Sequence, residues 1–102
     1  MDHTDPTDIQ RRQTISKRAI EVRDTWEGLA RILSAKRGKL GRYPIRVRRC
    51  YQLARVVEGL ASYAWEAPRE QLPELERQLE DLATRADRAL VAIGIAGHEP
   101  KR

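Results

Sequence analysis

The amino-acid sequence predicts an all-α protein, a bundle of three helices that run up, down and up. Two observations lead to this prediction. Apolar residues recur at alternating steps of three and four along three separate stretches, which fits the helical period and not the alternation of a strand. Proline and glycine occur mainly between those stretches. Three amphipathic helices joined by short connections can bury their apolar faces against one another.

The first helix is predicted over residues 6–35. Asp5 is in position to be the N-cap, and Pro6 suits the first helical position because its fixed φ matches the helix. The polar residues 10–13 in the first two turns are expected to fray. Gly38 is expected to end the helix in a left-handed cap. The apolar stripe consists of Ile15, Ala19, Val22, Trp26, Leu29 and Leu33.

The second helix is predicted over residues 45–66, before the break at Pro68. Its apolar stripe consists of Cys50, Leu53, Val57, Leu60 and Ala64. Residues 45–48 alternate between apolar and basic, so they also fit a short extended segment. Trp65, at the end of this helix, fits two roles, a cap on the bundle or part of an interface.

The third helix is predicted over residues 73–93, with Pro73 in its first turn and Gly94 as its C-terminal cap. Its apolar stripe consists of Leu72, Leu75, Leu79, Leu82, Ala86, Ala89 and Ile93. One domain over residues 1–95 is expected, followed by a mobile tail at 96–102. Apolar seams of this kind fit a monomer and a homodimer, and their small residues favour the homodimer slightly because they leave one chain short of core volume.

Positive charge is concentrated in one part of the chain. Residues 11–55 contain 14 Lys and Arg against three acids, whereas residues 56–102 contain six against nine. A protein that needs charge only to stay dissolved would mix the two signs. The segregation therefore predicts a surface for a polyanion, which phosphate groups satisfy through Coulomb attraction and counterion release.

The predicted contact surface is the basic loop 36–44 and the start of the second helix. Its candidate residues are Lys36, Arg37, Lys39, Arg42, Tyr43, Arg46, Arg48, Arg49 and Arg55. Guanidinium groups bind phosphate bidentately, and Tyr43 can stack on an unpaired base. The basic residues of the first helix (Arg11, Arg12, Lys17, Arg18 and Arg23) are expected to extend this charge. A small non-enzymatic protein with a regulatory or accessory role is predicted, binding nucleic acid, with DNA favoured over RNA.

A second hypothesis is a helical protein–protein interaction module, such as an adaptor, antitoxin or inhibitor, whose basic surface binds an acidic partner. The acidic third helix leaves a related question open. Its carboxylates, at positions such as Glu76 and Glu80, either pair with the basic helices or face outward. Pairing would weaken the nucleic-acid hypothesis, because it would neutralise the surface.

No enzyme, cofactor or metal site is predicted. His3 and His98 lie near the two termini, and the single cysteine, Cys50, lies on an apolar stripe where a buried thiol is expected. Lack of a disulfide partner favours a reducing compartment, the cytoplasm. The acidic residues 1–5 do not resemble a signal peptide, and no apolar run is long enough to span a membrane.

Overall fold

A computed structural model describes residues 6–35 and 47–98, the last five of them by their backbone alone. Helix α1 covers Pro6–Ala35 and helix α2 covers Val47–Glu66. A short 3₁₀ turn, Arg69–Gln71, leads into helix α3, Leu72–His98. These described ranges contain no strand, and the prediction of an all-α three-helix bundle is confirmed.

Helix α1 lies between the other two and holds them together. It packs most extensively against α2 and less extensively against α3, while α2 and α3 touch each other least. The molecule is elongated, with extents of 55 × 28 × 16 Å. A groove between α2 and α3 follows from this unequal packing.

The apolar stripes of the three helices meet in one continuous core. Its largest fully buried side chains are Trp26, Leu29, Leu72, Val57 and Cys50. Every stripe position named from the sequence is buried except Leu60 and Ala89, which are partly buried against the same cluster. Periodicity along each stretch therefore identified the faces that the tertiary structure buries.

Helix α3 differs from the prediction at both ends, since it begins at Leu72, one residue early, and extends beyond residue 93. Helix α3 continues through Gly94 to His98, so Gly94 is not its cap. Glycine inside a helix costs only about 1 kcal/mol relative to alanine, and the next proline is Pro100. Val47 and Arg48 are helical, which excludes an extended conformation for these two residues. The predicted cap residues Asp5 and Gly38, and the loop 36–44, lie outside the described residues.

Candidate functional site

A buried ion pair lies in the first turns of α1, where fraying was expected. Asp8 and Arg12 are each 2% exposed, and Arg12 Nε donates a hydrogen bond to Asp8 Oδ2 at 2.9 Å. Arg12 Nη1 also donates to the carbonyl oxygens of Ala64 at 3.1 Å and Ala67 at 2.7 Å. Asp8 Oδ1 lies 3.7 Å from Arg69 Nε. The expectation of frayed turns is therefore wrong, because Arg12 satisfies carbonyls at the end of α2 that have no partner within the helix.

The sequence contained a signal for this pair. Continuing the apolar spacing of α1 backward from Ile15 gives positions 12 and 8, at further steps of three and four. Both positions carry a charge, and the prediction of a polar, fraying segment at residues 10–13 includes Arg12 but not Asp8. Two opposite charges four residues apart, at positions that continue the buried stripe, fit a buried ion pair as well as they fit a polar, fraying helix end.

Two arginines of α1 form ion pairs with α3. Arg11 binds Glu76 bidentately, from Nε at 3.0 Å and from Nη2 at 2.8 Å. Arg18 binds Glu80 in the same way, at 3.1 and 3.4 Å. The hydrogen bonds from Arg11 hold the pKa of Glu76 below its ordinary value. The sequence left open whether the carboxylates of the third helix pair with the basic helices or face outward. Glu76 and Glu80 pair with arginines of α1.

Arg23 of α1 also has acidic partners. It donates to Asp24 Oδ1 at 3.0 Å and to Glu58 Oε2 on α2 at 3.3 Å. Among the described residues, the expectation that the arginines of α1 extend a surface for a partner is therefore wrong for Arg11, Arg12, Arg18 and Arg23. Their guanidinium groups are already bound by carboxylates of this chain.

Three of the predicted site residues, Arg48, Arg49 and Arg55, lie in the first three turns of α2 and are exposed. None of them has a carboxylate partner within residues 6–35 and 47–93. Arg49 Nη1 donates a hydrogen bond to Gln52 Oε1 at 3.4 Å. Arg48 and Arg55 are seven residues apart and share one side of α2, whereas Arg49 lies about 100° around the helix. The remaining candidates lie outside the described residues: Lys36, Arg37, Lys39, Arg42, Tyr43 and Arg46.

The first half of α2 differs in charge from the rest of the bundle. Residues 47–57 contain three arginines and no acid. The carboxylates that bind the arginines of α1 from other helices, Glu58, Glu76 and Glu80, belong to the second half of α2 and the first half of α3. Ion pairing across helices is therefore confined, among the described residues, to the part of the bundle away from the start of α2.

Two of the remaining candidates, Cys50 and Trp26, belong to the core. Cys50 is buried, and burial raises the pKa of its thiol, which keeps it protonated and unreactive. Trp26 is fully buried, as predicted, whereas Trp65 is 46% exposed, which fits either of its two predicted roles. Within the described ranges, no group of three or more His, Cys, Asp or Glu side chains has an arrangement suited to a metal ion.

No helix in the described part of the chain is both long enough and apolar enough to cross a membrane. Comparison of the chain with protein-family models, curated proteins and solved structures finds no match. Function is therefore inferred from the residues of this chain alone.

Proposed function

We propose that this protein binds nucleic acid, with DNA as the first candidate, through the start of α2 and the basic segment 36–46. One observation carries the proposal. Arg48, Arg49 and Arg55 are exposed and have no carboxylate partner among the described residues, whereas four arginines of α1 are bound by acids of the chain. The unpaired arginines are available to an external anion.

Phosphate is the anion that suits this surface best. A guanidinium group presents a planar fork that matches two phosphate oxygens, and arginine is the only basic residue type in residues 47–66. The positive end of a helix dipole also favours anions, and the first turn of α2 contains no acidic side chain. Five further Lys and Arg residues occupy segment 36–46, which contains no acid. Together these charges favour a polyanion over a single small ion.

Binding is tested by fluorescence anisotropy with a labelled 20-base-pair duplex and a single strand, at 50 and 200 mM NaCl. We expect micromolar affinity for the duplex at 50 mM salt and a steep loss at 200 mM, because binding releases counterions from the phosphates. Absence of binding at 50 mM salt would reject the proposal. Tighter binding to the single strand would change the preferred target.

The position of the surface is tested by the double substitution Arg48→Glu with Arg55→Glu. We expect it to weaken duplex binding by about tenfold or more and to flatten the salt dependence, since each lost phosphate contact removes about 0.9 from the slope. The matched control is Lys17→Glu with Arg77→Glu, which changes the net charge equally at two exposed helix positions elsewhere. Equal losses in the two variants would show an effect of net charge only, and would overturn the assignment to α2.

An acidic protein surface is the second candidate target. The observation that favours it is that Tyr51 and Val56 are exposed beside the arginines of α2, since aromatic residues and arginine are enriched at protein interfaces. Poly-L-glutamate of the same charge as the oligonucleotide separates the two candidates. Nucleic-acid binding predicts that it competes poorly, and effective competition would favour a protein partner.

A further inference from the structure

A cavity of about 410 Å³ opens between α2 and α3. These two helices both pack against α1 but have little contact with each other. Trp26, Leu53, Ala89 and Ala92 supply its apolar lining, one residue from α1, one from α2 and two from α3. Pockets of a few hundred cubic ångströms with mainly apolar walls are typical of sites for small organic molecules. The lining therefore suits an apolar group.

Three arginines complete the lining of this cavity, Arg49 from α2 and Arg85 and Arg88 from α3. Among the described residues that line it, none is acidic. Arg85 lies 3.4 Å from Asp81, whereas Arg88 has no hydrogen bond or ion pair with any described residue. The cavity thus combines apolar walls with positive charges from both sides, and Arg88 is available to an anion.

The indole of Trp26 adds a separate observation. Its Nε1 atom is buried and has no hydrogen-bond acceptor among the described residues. Buried indole N–H groups usually have an acceptor, because a buried unpaired donor is unfavourable. The residue with this unpaired donor is one that lines the cavity.

From these observations we propose that the cavity binds a small organic carboxylate with an apolar chain. The apolar chain of the ligand lies against Leu53, Ala89 and Ala92. Its carboxylate lies between Arg88 and Arg49. An oxygen of the ligand or of an accompanying water supplies the acceptor that Trp26 lacks. This site shares Arg49 with the proposed nucleic-acid surface, but Arg48 and Arg55 do not line the cavity, and its other arginines, Arg85 and Arg88, lie on α3.

Octanoate is a suitable probe, because it has one carboxylate and a chain of eight carbons. The protein contains only two tryptophans, Trp26 and Trp65, so its ¹H–¹⁵N NMR spectrum has two indole Nε1–H signals. The substitution Trp65→Phe assigns them. We expect octanoate to shift the Trp26 signal in a saturable way and to leave the Trp65 signal unchanged. No shift at millimolar octanoate, or equal shifts of both signals, would overturn the proposal.

The role of charge is tested with octanamide, which has the same chain length and no charge, and with Arg88→Gln. We expect each change to weaken binding about tenfold, the usual consequence of losing one charge-assisted hydrogen bond. Unchanged affinity in either case would overturn the proposed contact. Arg88 is exposed and unpaired among the described residues, so we expect the variant to fold.

Arg55→Gln is the matched control, since Arg55 is exposed and lies outside the cavity lining. It should leave octanoate binding unchanged and weaken duplex binding. Arg88→Gln should weaken octanoate binding and leave duplex binding unchanged. Failure of octanoate binding alone would reject the cavity site, and failure of duplex binding alone would reject the proposed function. An equal loss of octanoate affinity in both variants would also overturn the cavity site, because it would show a general effect of charge.

Discussion

Arg12 is a charged residue that is buried in the first turns of α1. It occupies a position in phase with the apolar stripe, yet its guanidinium binds Asp8 and the carbonyl oxygens of Ala64 and Ala67. Burying a charge is expensive, and the cost is offset only when hydrogen bonds satisfy the group well. Arg12 therefore links α1 to the end of α2, and its removal would leave Asp8 buried with one fewer partner.

We expect Arg12→Ala to lower the free energy of unfolding by about 3–5 kcal/mol, the usual cost of breaking a buried ion pair. Arg11→Ala is the control in the same turn. Its partner is Glu76, and their side chains are 39% and 42% exposed. We expect this control to cost less than about 1 kcal/mol, because exposed pairs are screened by solvent. Urea denaturation followed by circular dichroism measures both values, and equal losses would contradict the assignment.

Glu76 provides a prediction about pH. Its pKa is lowered in the folded state by the hydrogen bonds from Arg11, so its contribution to stability is present above its unfolded pKa and is lost as the pH falls through its folded pKa. We expect Arg11→Gln to raise the pKa of Glu76 toward its ordinary value, as measured by the ¹³Cδ chemical shift during an acid titration. Glu74 is the control, because its pKa is lowered by Arg77 and Gln78 and should not change.

Among the elements, α1 is the helix on which the other two depend. It makes the larger interfaces with both, and its stripe supplies Trp26 and Leu29 to the centre of the core. The apolar part of this stripe, from Ile15 to Leu33, was predictable, because the period of three and four persists along the helix. The extension of α3 beyond Gly94 was not, because a glycine at that position fits a cap and a helix interior alike.

We expect Leu53→Asp on α2 and Leu79→Asp on α3 each to unfold the protein, since both leucines are buried and an unpaired buried charge is unfavourable. Val91→Asp on α3 is the control at a position that is 61% exposed. It should retain the helical circular dichroism spectrum and a cooperative thermal transition. A cooperative, fully helical spectrum for either leucine variant would contradict the assignment of the stripes.

In the molecule as a whole, part of the positive charge is neutralised by carboxylates of the same chain. Four of the five arginines of α1 are bound by carboxylates from all three helices, while Arg31 and the arginines at the start of α2 have no acidic partner among the described residues. The proposed nucleic-acid surface is therefore smaller than the charge distribution along the sequence predicts. A homodimer stays a prediction, although one argument for it is weaker, because a single chain buries a continuous core among its described residues.

The sequence by itself determined the three helices, their buried faces and the burial of Cys50, because these depend on spacing along one stretch of chain. Tertiary structure decided which arginines are available. Arg11 meets Glu76 across 65 positions of sequence, and such a pairing depends on how two helices lie side by side. It also decided that α2 and α3 separate around a cavity bordered by Arg49 and Arg88. Spacing within a helix gives the direction of a side chain, whereas its partner depends on the neighbouring helix.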